Sequence, residues 1–447
     1  MSAEPFDRAD PGRGLPPAEA PTPFLKALGF GDLWAQVLNA IIGAGIFALP
    51  AAAAALLGDR AVFAYLLAGG VMALVALALS ELGSAYRRTG GPYLYARDAF
   101  GAFAGFEVGW LLLLTRITAY AALLNALLDY VAYFWAPAAA AARPGLILAI
   151  LAGLAAINVR GVRWGANATN ALTVAKLLPL LAFIAVGGVL AVVRDLPGAG
   201  PVAEPNLARA TLLLIFAFSG FEPVTLPAEE TRDPGRDLPK AILAGLGVVT
   251  VLYLAIQYVA ARALPELAAS AAPLAAGADR LVGRSGAIVM TAGAAVSILG
   301  TISGGIVLVP RLLYALAADR HLPRVLARVH RAYRTPDVAI VLLCAIVFPL
   351  AVTGSFVALA TLSTISRLAI YAVTCLAALR LHRPLAAARA FSAPGVFLAL
   401  GALACAGLLV TISGRELLAG ALAVALGAVV YGVGRAVAWR AKPRPIA

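Results

Sequence analysis

The chain has 447 residues, of which 62% are hydrophobic and only 13% charged, with mean hydropathy +0.91. Soluble domains carry about 25% charged residues, so a soluble globular fold is excluded and a polytopic membrane protein is indicated. A net charge of +13 would suggest a nucleic-acid partner in a soluble chain; here Arg-rich cytoplasmic loops account for it, and no nucleic acid is expected. Cys344, Cys375 and Cys405 all fall in apolar segments, which gives no disulfide framework. His321, His330 and His382 lie in polar connections without Cys or carboxylate partners at ligand spacing, so neither a metal nor a cofactor is expected.

Residues 1–22 are rich in Pro, Ala and charge and have no apolar core, which reads as a disordered tail and not a cleaved signal, taken to end at residue 24. Crossing about 30 Å of hydrocarbon takes roughly 20 apolar residues. Twelve segments are predicted on that basis: 31–57, 61–86, 102–134, 144–160, 167–193, 209–231, 239–262, 285–316, 336–352, 356–380, 391–412 and 416–440. With the N-terminus inside, cytoplasmic connections hold 23 Lys and Arg and outer ones hold 8, an excess that places both termini in the cytoplasm. The expected location is the cell inner (cytoplasmic) membrane, crossed many times.

The first segment contains Asn39-Ala-Ile-Ile-Gly-Ala-Gly-Ile-Phe-Ala-Leu-Pro50, where Gly43 and Gly45 bracket Ala44 at about the depth of the bilayer centre. Each glycine costs a helix about 1 kcal/mol relative to alanine. Such a Gly-x-Gly serves either as a packing notch or as a helix break, and a break at that depth survives only against protein or a watery cavity. The freed N–H groups of Gly43, Ala44 and Gly45 would then suit a carboxylate. The sixth segment repeats the logic in Ile215-Phe-Ala-Phe-Ser-Gly-Phe-Glu-Pro223. Ser219 and Gly220 loosen the helix, Glu222 is a charge where charge is expensive, and Pro223 opens a second half-helix well. Interruptions in segments one and six point to two inverted five-helix repeats, a transporter pattern.

At this point the residues resemble the amino acid–polyamine–organocation (APC) permeases, from Phe24 to about Arg389. The resemblance rests on Gly43-Ala-Gly-Ile-Phe47; on Ser80-Glu-Leu-Gly-Ser-Ala-Tyr86 with Gly90-Gly-Pro-Tyr-Leu-Tyr95 and Ala99-Phe-Gly101; on Phe216-Ala-Phe-Ser-Gly-Phe-Glu222 with Glu229-Glu-Thr-Arg-Asp-Pro234 and Leu238-Pro-Lys-Ala-Ile242; and on Arg311-Leu-Leu-Tyr-Ala-Leu316 with Leu322-Pro323 and Thr335-Pro336. It implies an all-α integral membrane protein of about twelve transmembrane helices, a LeuT-like 5+5 inverted repeat with discontinuous helices 1 and 6 plus two extra C-terminal helices. The repeats would be residues 25–193 and 194–389, followed by helices 11 and 12 in 390–440 and a tail of 441–447. It further implies secondary active transport of an α-amino acid by alternating access. The substrate carboxylate would meet the N–H groups of Gly43, Ala44 and Gly45. Its ammonium would meet carbonyls of Ile41, Ile42, Phe216, Ala217 and Ser219, beside Gly220.

Lys176 lies in the middle of the fifth segment, where a lysine costs at least about 2.5–3.5 kcal/mol. It serves either in a buried ion pair or, as in sodium-independent members that the chain resembles, in place of a sodium ion, as a proton carrier or a fixed cation. H+ is thus a candidate coupling partner. Arg116 shares a helix face with Tyr120, and it either pairs with Glu107, Glu222 or backbone carbonyls or, with Arg367, biases a pocket toward neutral or anionic amino acids. Phe216 is a gate or ordinary packing. Ser297, Thr301, Ser303, Gly304 and Gly305 form a small, polar stripe suited to a cavity wall or to close packing. Glu81, Arg97 and Glu229 read as solvated cytoplasmic contacts. The competing classes are an exchanger of the same family, an integral-membrane enzyme or a sensor with a permease-like core. The enzyme reading lacks clustered aspartates or a His and acid pair. Oligomeric state is not legible.

Overall fold

A membrane interior offers the backbone no water, so a chain this apolar satisfies its peptide groups within helices. The computed structural model describes residues 29–86, 91–160, 166–222, 224, 231–318, 322–330, 332–333 and 335–440, and its regular structure is helical. In chain order the helices are α1 (Phe30–Ile41), α2 (Gly45–Leu57), α3 (Ala61–Ala85), α4 (Pro92–Phe100), α5 (Ala102–Ala132), α6 (Arg143–Val159), α7 (Ala166–Val193) and α8 (Leu207–Phe218). There follow α9 (Pro234–Ala263), α10 (Pro273–Val282), α11 (Arg284–Ala318), α12 (Asp337–Thr353), α13 (Phe356–Leu381), α14 (Gly395–Val410) and α15 (Gly414–Arg440). The tails at 1–24 and 441–447, Glu229 and most of the sixth segment beyond Glu222 lie outside the described residues.

A helix lies in each of the twelve expected segments. By length and composition, 7 helical stretches are long and apolar enough to cross a membrane, and α6, α8, α12 and α14 are shorter apolar helices. The protein is a multi-pass membrane protein. α6 and α12, which fill the short fourth and ninth segments, have 17 residues each, and α14 has 16. Two helices were not predicted. α4 and α10 each begin on a proline and end at a glycine with positive φ, Gly101 (+96°) and Gly283 (+80°), the termini that proline and glycine favour.

Packing divides the helices by depth. α5 is the most enclosed span, with 78% of its apolar stretch buried, against 11% for α15. α3 and α1 pack along α9, and α13 packs along α5 and α14. The 194–206 connection is strapped to the α2–α3 turn: the Asp59 carboxylate accepts from Ala199 N–H (2.8 Å) and Gly200 N–H (3.2 Å), and Leu56 O accepts from Asn206 N–H (3.1 Å). α15 is tied to the start of α8 by a bidentate pair, Arg209 to Glu416 at 2.9 and 2.6 Å.

Candidate functional site

α1 stops at Ile41 and α2 starts at Gly45, so the first expected break is present. Ile42 leaves helical geometry at ψ 84°, and Gly43 N–H turns back to donate to Ile41 O at 2.8 Å. Ala44 then caps α2, its carbonyl accepting from Phe47 N–H (3.0 Å) and Ala48 N–H (3.2 Å). A helix leaves its first N–H groups without intrahelical partners, so the donors at this point belong to Ala44, Gly45 and Ile46. Gly43, expected to offer a free N–H, is engaged in the turn.

The glycines of the break do different work. A methyl group on Gly45 would lie 2.6 Å from Ala217 Cα, whereas on Gly43 its nearest neighbour would be Thr301 Oγ1 at 3.8 Å. Close backbone approach therefore depends on Gly45 and not on Gly43. On the other side, α8 ends at Phe218 and Gly220 takes φ +116° with its Cα against the Ala40 carbonyl, where a methyl group would come within 2.5 Å. The α1–α2 break and the end of α8 thus meet backbone to backbone at Gly45–Ala217 and Gly220–Ala40.

Side chains from three helices satisfy the bared carbonyls. Lys176, 2% exposed on α7, donates through Nζ to Asn39 O (2.8 Å) and Ile42 O (2.7 Å). Pro179, three residues on, seats against Gly293 of α11 and holds the two helices close. Ser297 on α11 donates to Ile42 O at 3.1 Å. Tyr253 on α9 places its hydroxyl 3.2 Å from both Ile41 O and Ala217 O, sharing one proton between the two breaks. Ser219 Oγ donates to Phe216 O at 2.8 Å. Ile41 and Ile42 carbonyls thus meet two donors each. Those of Phe216 and Ala217 meet one side-chain donor each.

Beyond the end of α8 the chemistry changes to charge. Buried Glu222 accepts from Arg116 Nη2 (3.3 Å) through Oε2, and from Arg367 Nη1 (3.3 Å) and the Tyr371 hydroxyl through Oε1. Arg116 is therefore paired with Glu222 and not with Glu107, which packs against Gly427 of α15. Two guanidiniums share one carboxylate, so the group carries one net positive charge. Phe216 is buried, its ring edge-on to Phe356 with centroids 5.8 Å apart. Tyr120 is buried on α5, with its hydroxyl seated on Gly305 of α11.

The structure brings Ile41, Ile42, Gly43, Ala44, Gly45, Lys176, Ala217, Gly220 and Ser297 together, and gathers Arg116, Glu222 and Arg367 one step away. Tyr253, Tyr371 and Phe356 escaped sequence reasoning. A tyrosine deep in a span, away from the interfacial belts where the residue collects, needs a partner for its hydroxyl, and that signal was available for Tyr253. Two expectations need correction. Glu81, read as solvated, is 2% exposed; its carboxylate accepts from Arg389 Nη1 (2.6 Å) and Ala393 N–H (2.8 Å). His382, read as lacking a carboxylate partner, sits with Nδ1 2.7 Å from Glu81 Oε1. Sequence spacing does not expose a pair that only folding assembles. Arg97 stays at the surface against Asp98, at 3.0 Å.

A multi-pass helical protein in which a break between two helices meets the end of a third beside buried cations has the makings of a transporter. Residues 28–433 match the family described as amino acid permease, and the chain belongs to that family. It is 32% identical to an uncharacterised transporter of Mycobacterium tuberculosis over 96% of both chains. It is 30% identical to a serine/threonine exchanger of Bacillus subtilis over 70% of this chain and 74% of that one. To the human Asc-type amino acid transporter 1 it is 30% identical over 83% and 75%. The family and these relatives are transporters, not enzymes, and amino acid transport is the activity they support.

Proposed function

We propose that the protein is a secondary active transporter that carries a neutral α-amino acid across the cytoplasmic membrane by alternating access, independently of sodium. The twelve segments form two inverted repeats, 25–193 and 194–389, superposed at the breaks, with both termini cytoplasmic and helices 11 and 12 outside the repeats. The observation that carries the reading is the meeting of the two breaks at Gly45 and Ala217, beside the first N–H groups of α2. Those groups hold the substrate carboxylate, as helix N-termini hold anions. The ammonium takes the remaining lone pairs of Phe216 and Ala217 carbonyls, so recognition at this point uses what every α-amino acid shares.

Lys176 stands where a sodium ion would otherwise bridge the first break. Its ammonium already holds Asn39 O and Ile42 O, a pair of carbonyls of the kind that coordinates a cation at broken membrane helices. It is the candidate proton carrier. The net positive charge of Arg116, Glu222 and Arg367 disfavours a cationic side chain, which would be repelled in a medium of low dielectric. The deciding experiment is uptake by purified protein in liposomes, with and without sodium and with an imposed proton gradient. Sodium-free uptake is expected; strict sodium dependence overturns the role of Lys176. The similarity to a serine/threonine exchanger favours a second reading, exchange, in which uptake appears only when the liposomes are preloaded with amino acid.

A further inference from the structure

We propose that Tyr120, seated on Gly305, forms the floor of the side-chain pocket and limits the carried amino acid to small side chains. This rests on the amino acid transport reading above and on the placement of the carboxylate at the start of α2.

Ser297, Thr301 and Gly305 recur every four residues on α11 and so share one face. The face can be followed level by level. Ser297 holds Ile42 O at 3.1 Å. Thr301 is the nearest side chain to the open side of Gly43, 3.8 Å from where a methyl group there would stand. At Gly305, the next level, the Tyr120 hydroxyl and ring edge occupy the space that any side chain would fill. The stripe is thus a wall that runs past the first break and is blocked one turn later by a phenol from α5. Successive levels are separated by about 6 Å at 1.5 Å per residue. Contact with the phenol takes about 3.5–4.0 Å of that, which leaves a depth of about one or two bonded atoms beyond Cα, enough for a side chain that ends at its γ position.

The ring cannot yield easily. Tyr120 is 3% exposed, and Arg116, one turn earlier on the same face of α5, is held by Glu222 at 3.3 Å. Glycine at 305 is what lets the phenol come so close; Tyr120 and Gly305 form a lock in which each explains the other. Glycine, alanine, serine and threonine fit above this floor. Leucine and phenylalanine do not.

The test is a thermal-shift titration of the purified full-length protein with glycine, alanine, serine, threonine, leucine and phenylalanine, since a ligand of the folded state raises its stability by mass action. Small side chains are expected to bind at least tenfold more tightly than leucine. In Tyr120→Ala the leucine-to-alanine affinity ratio should rise at least tenfold, a change of the size that one or two methylenes bring in an apolar pocket. A purely structural role would lower all affinities together and leave that ratio unmoved, which would overturn the proposal. Should Tyr120→Ala not fold, Gly305→Ala serves: its methyl group pushes the ring toward the break, and threonine should weaken at least tenfold relative to glycine. An unchanged ratio there overturns it equally. A wild-type protein that binds leucine as tightly as alanine removes the size limit and leaves amino acid transport standing. One that binds no amino acid removes the transport reading and this inference with it.

Discussion

At the α1–α2 break, the bared carbonyls are met by single donors from three different helices: Lys176, Tyr253 and Ser297. Past the end of α8, by contrast, one carboxylate gathers two guanidiniums and a phenol. The first arrangement distributes the load over neutral or singly charged partners, each replaceable at modest cost. The second concentrates it on Glu222, whose loss would strand buried Arg367 and half-buried Arg116. Broken helices in a membrane are therefore stabilised in two ways, and the two regions should respond differently to substitution.

Glu222→Ala is expected to have the largest effect, about 3–5 kcal/mol of lost stability, because it leaves buried charges uncompensated. A sharp fall in melting temperature and folded yield would show it, and Arg367→Met added to Glu222→Gln should recover part of the loss. A smaller but still severe effect is expected from Gly45→Val, whose side chain must enter the Ala217 backbone; overpacking costs about 1–3 kcal/mol, and substrate binding should disappear with it. Gly43→Ala is the control, near neutral in melting temperature because its methyl group would make only ordinary contacts, the nearest with Thr301 Oγ1 at 3.8 Å. If the two glycine variants behave alike, the assignment of close approach to Gly45 is wrong. Lys176→Met should cost less stability than Glu222→Ala, since removing the cation also removes its desolvation, yet liposome uptake should be lost. Apart from the Gly43→Ala control, the smallest effect belongs to Tyr253→Phe, about 1 kcal/mol for one shared neutral hydrogen bond, read as a shift of a few degrees. A loss as large as that of Glu222→Ala would erase the distinction between the two regions.

The sequence made the α1–α2 break and the end of α8 legible because each combines residues that weaken a helix with a setting where weakness is costly. Gly43-Ala-Gly45 and Ser219-Gly220 can be read without coordinates, and so can the oddity of Lys176 in an apolar helix. What could not be read is which glycine faces a neighbouring backbone, since that depends on the approach of α8 and not on α1 or α2. Glu222 was readable as one partner for Arg116, but the choice of Glu222, 106 positions away, over Glu107 is likewise a property of helix packing. α4 and α10 were missed for a different reason: their signals, Gly91-Pro92 to Gly101 and Pro273 to Gly283, are present, but a search for long apolar runs passes over short helices in connections.

The buried carboxylate of Glu81 carries an implication for how the chain is made. Its guanidinium partner, Arg389, is synthesised 308 residues later, so during insertion the acid waits through the birth of nearly the whole polypeptide. The ribosome must deliver the segment before α14 to complete the clasp on α3. A chain cut short ahead of Arg389 would leave the Glu81 carboxylate without its guanidinium and without the Ala393 N–H.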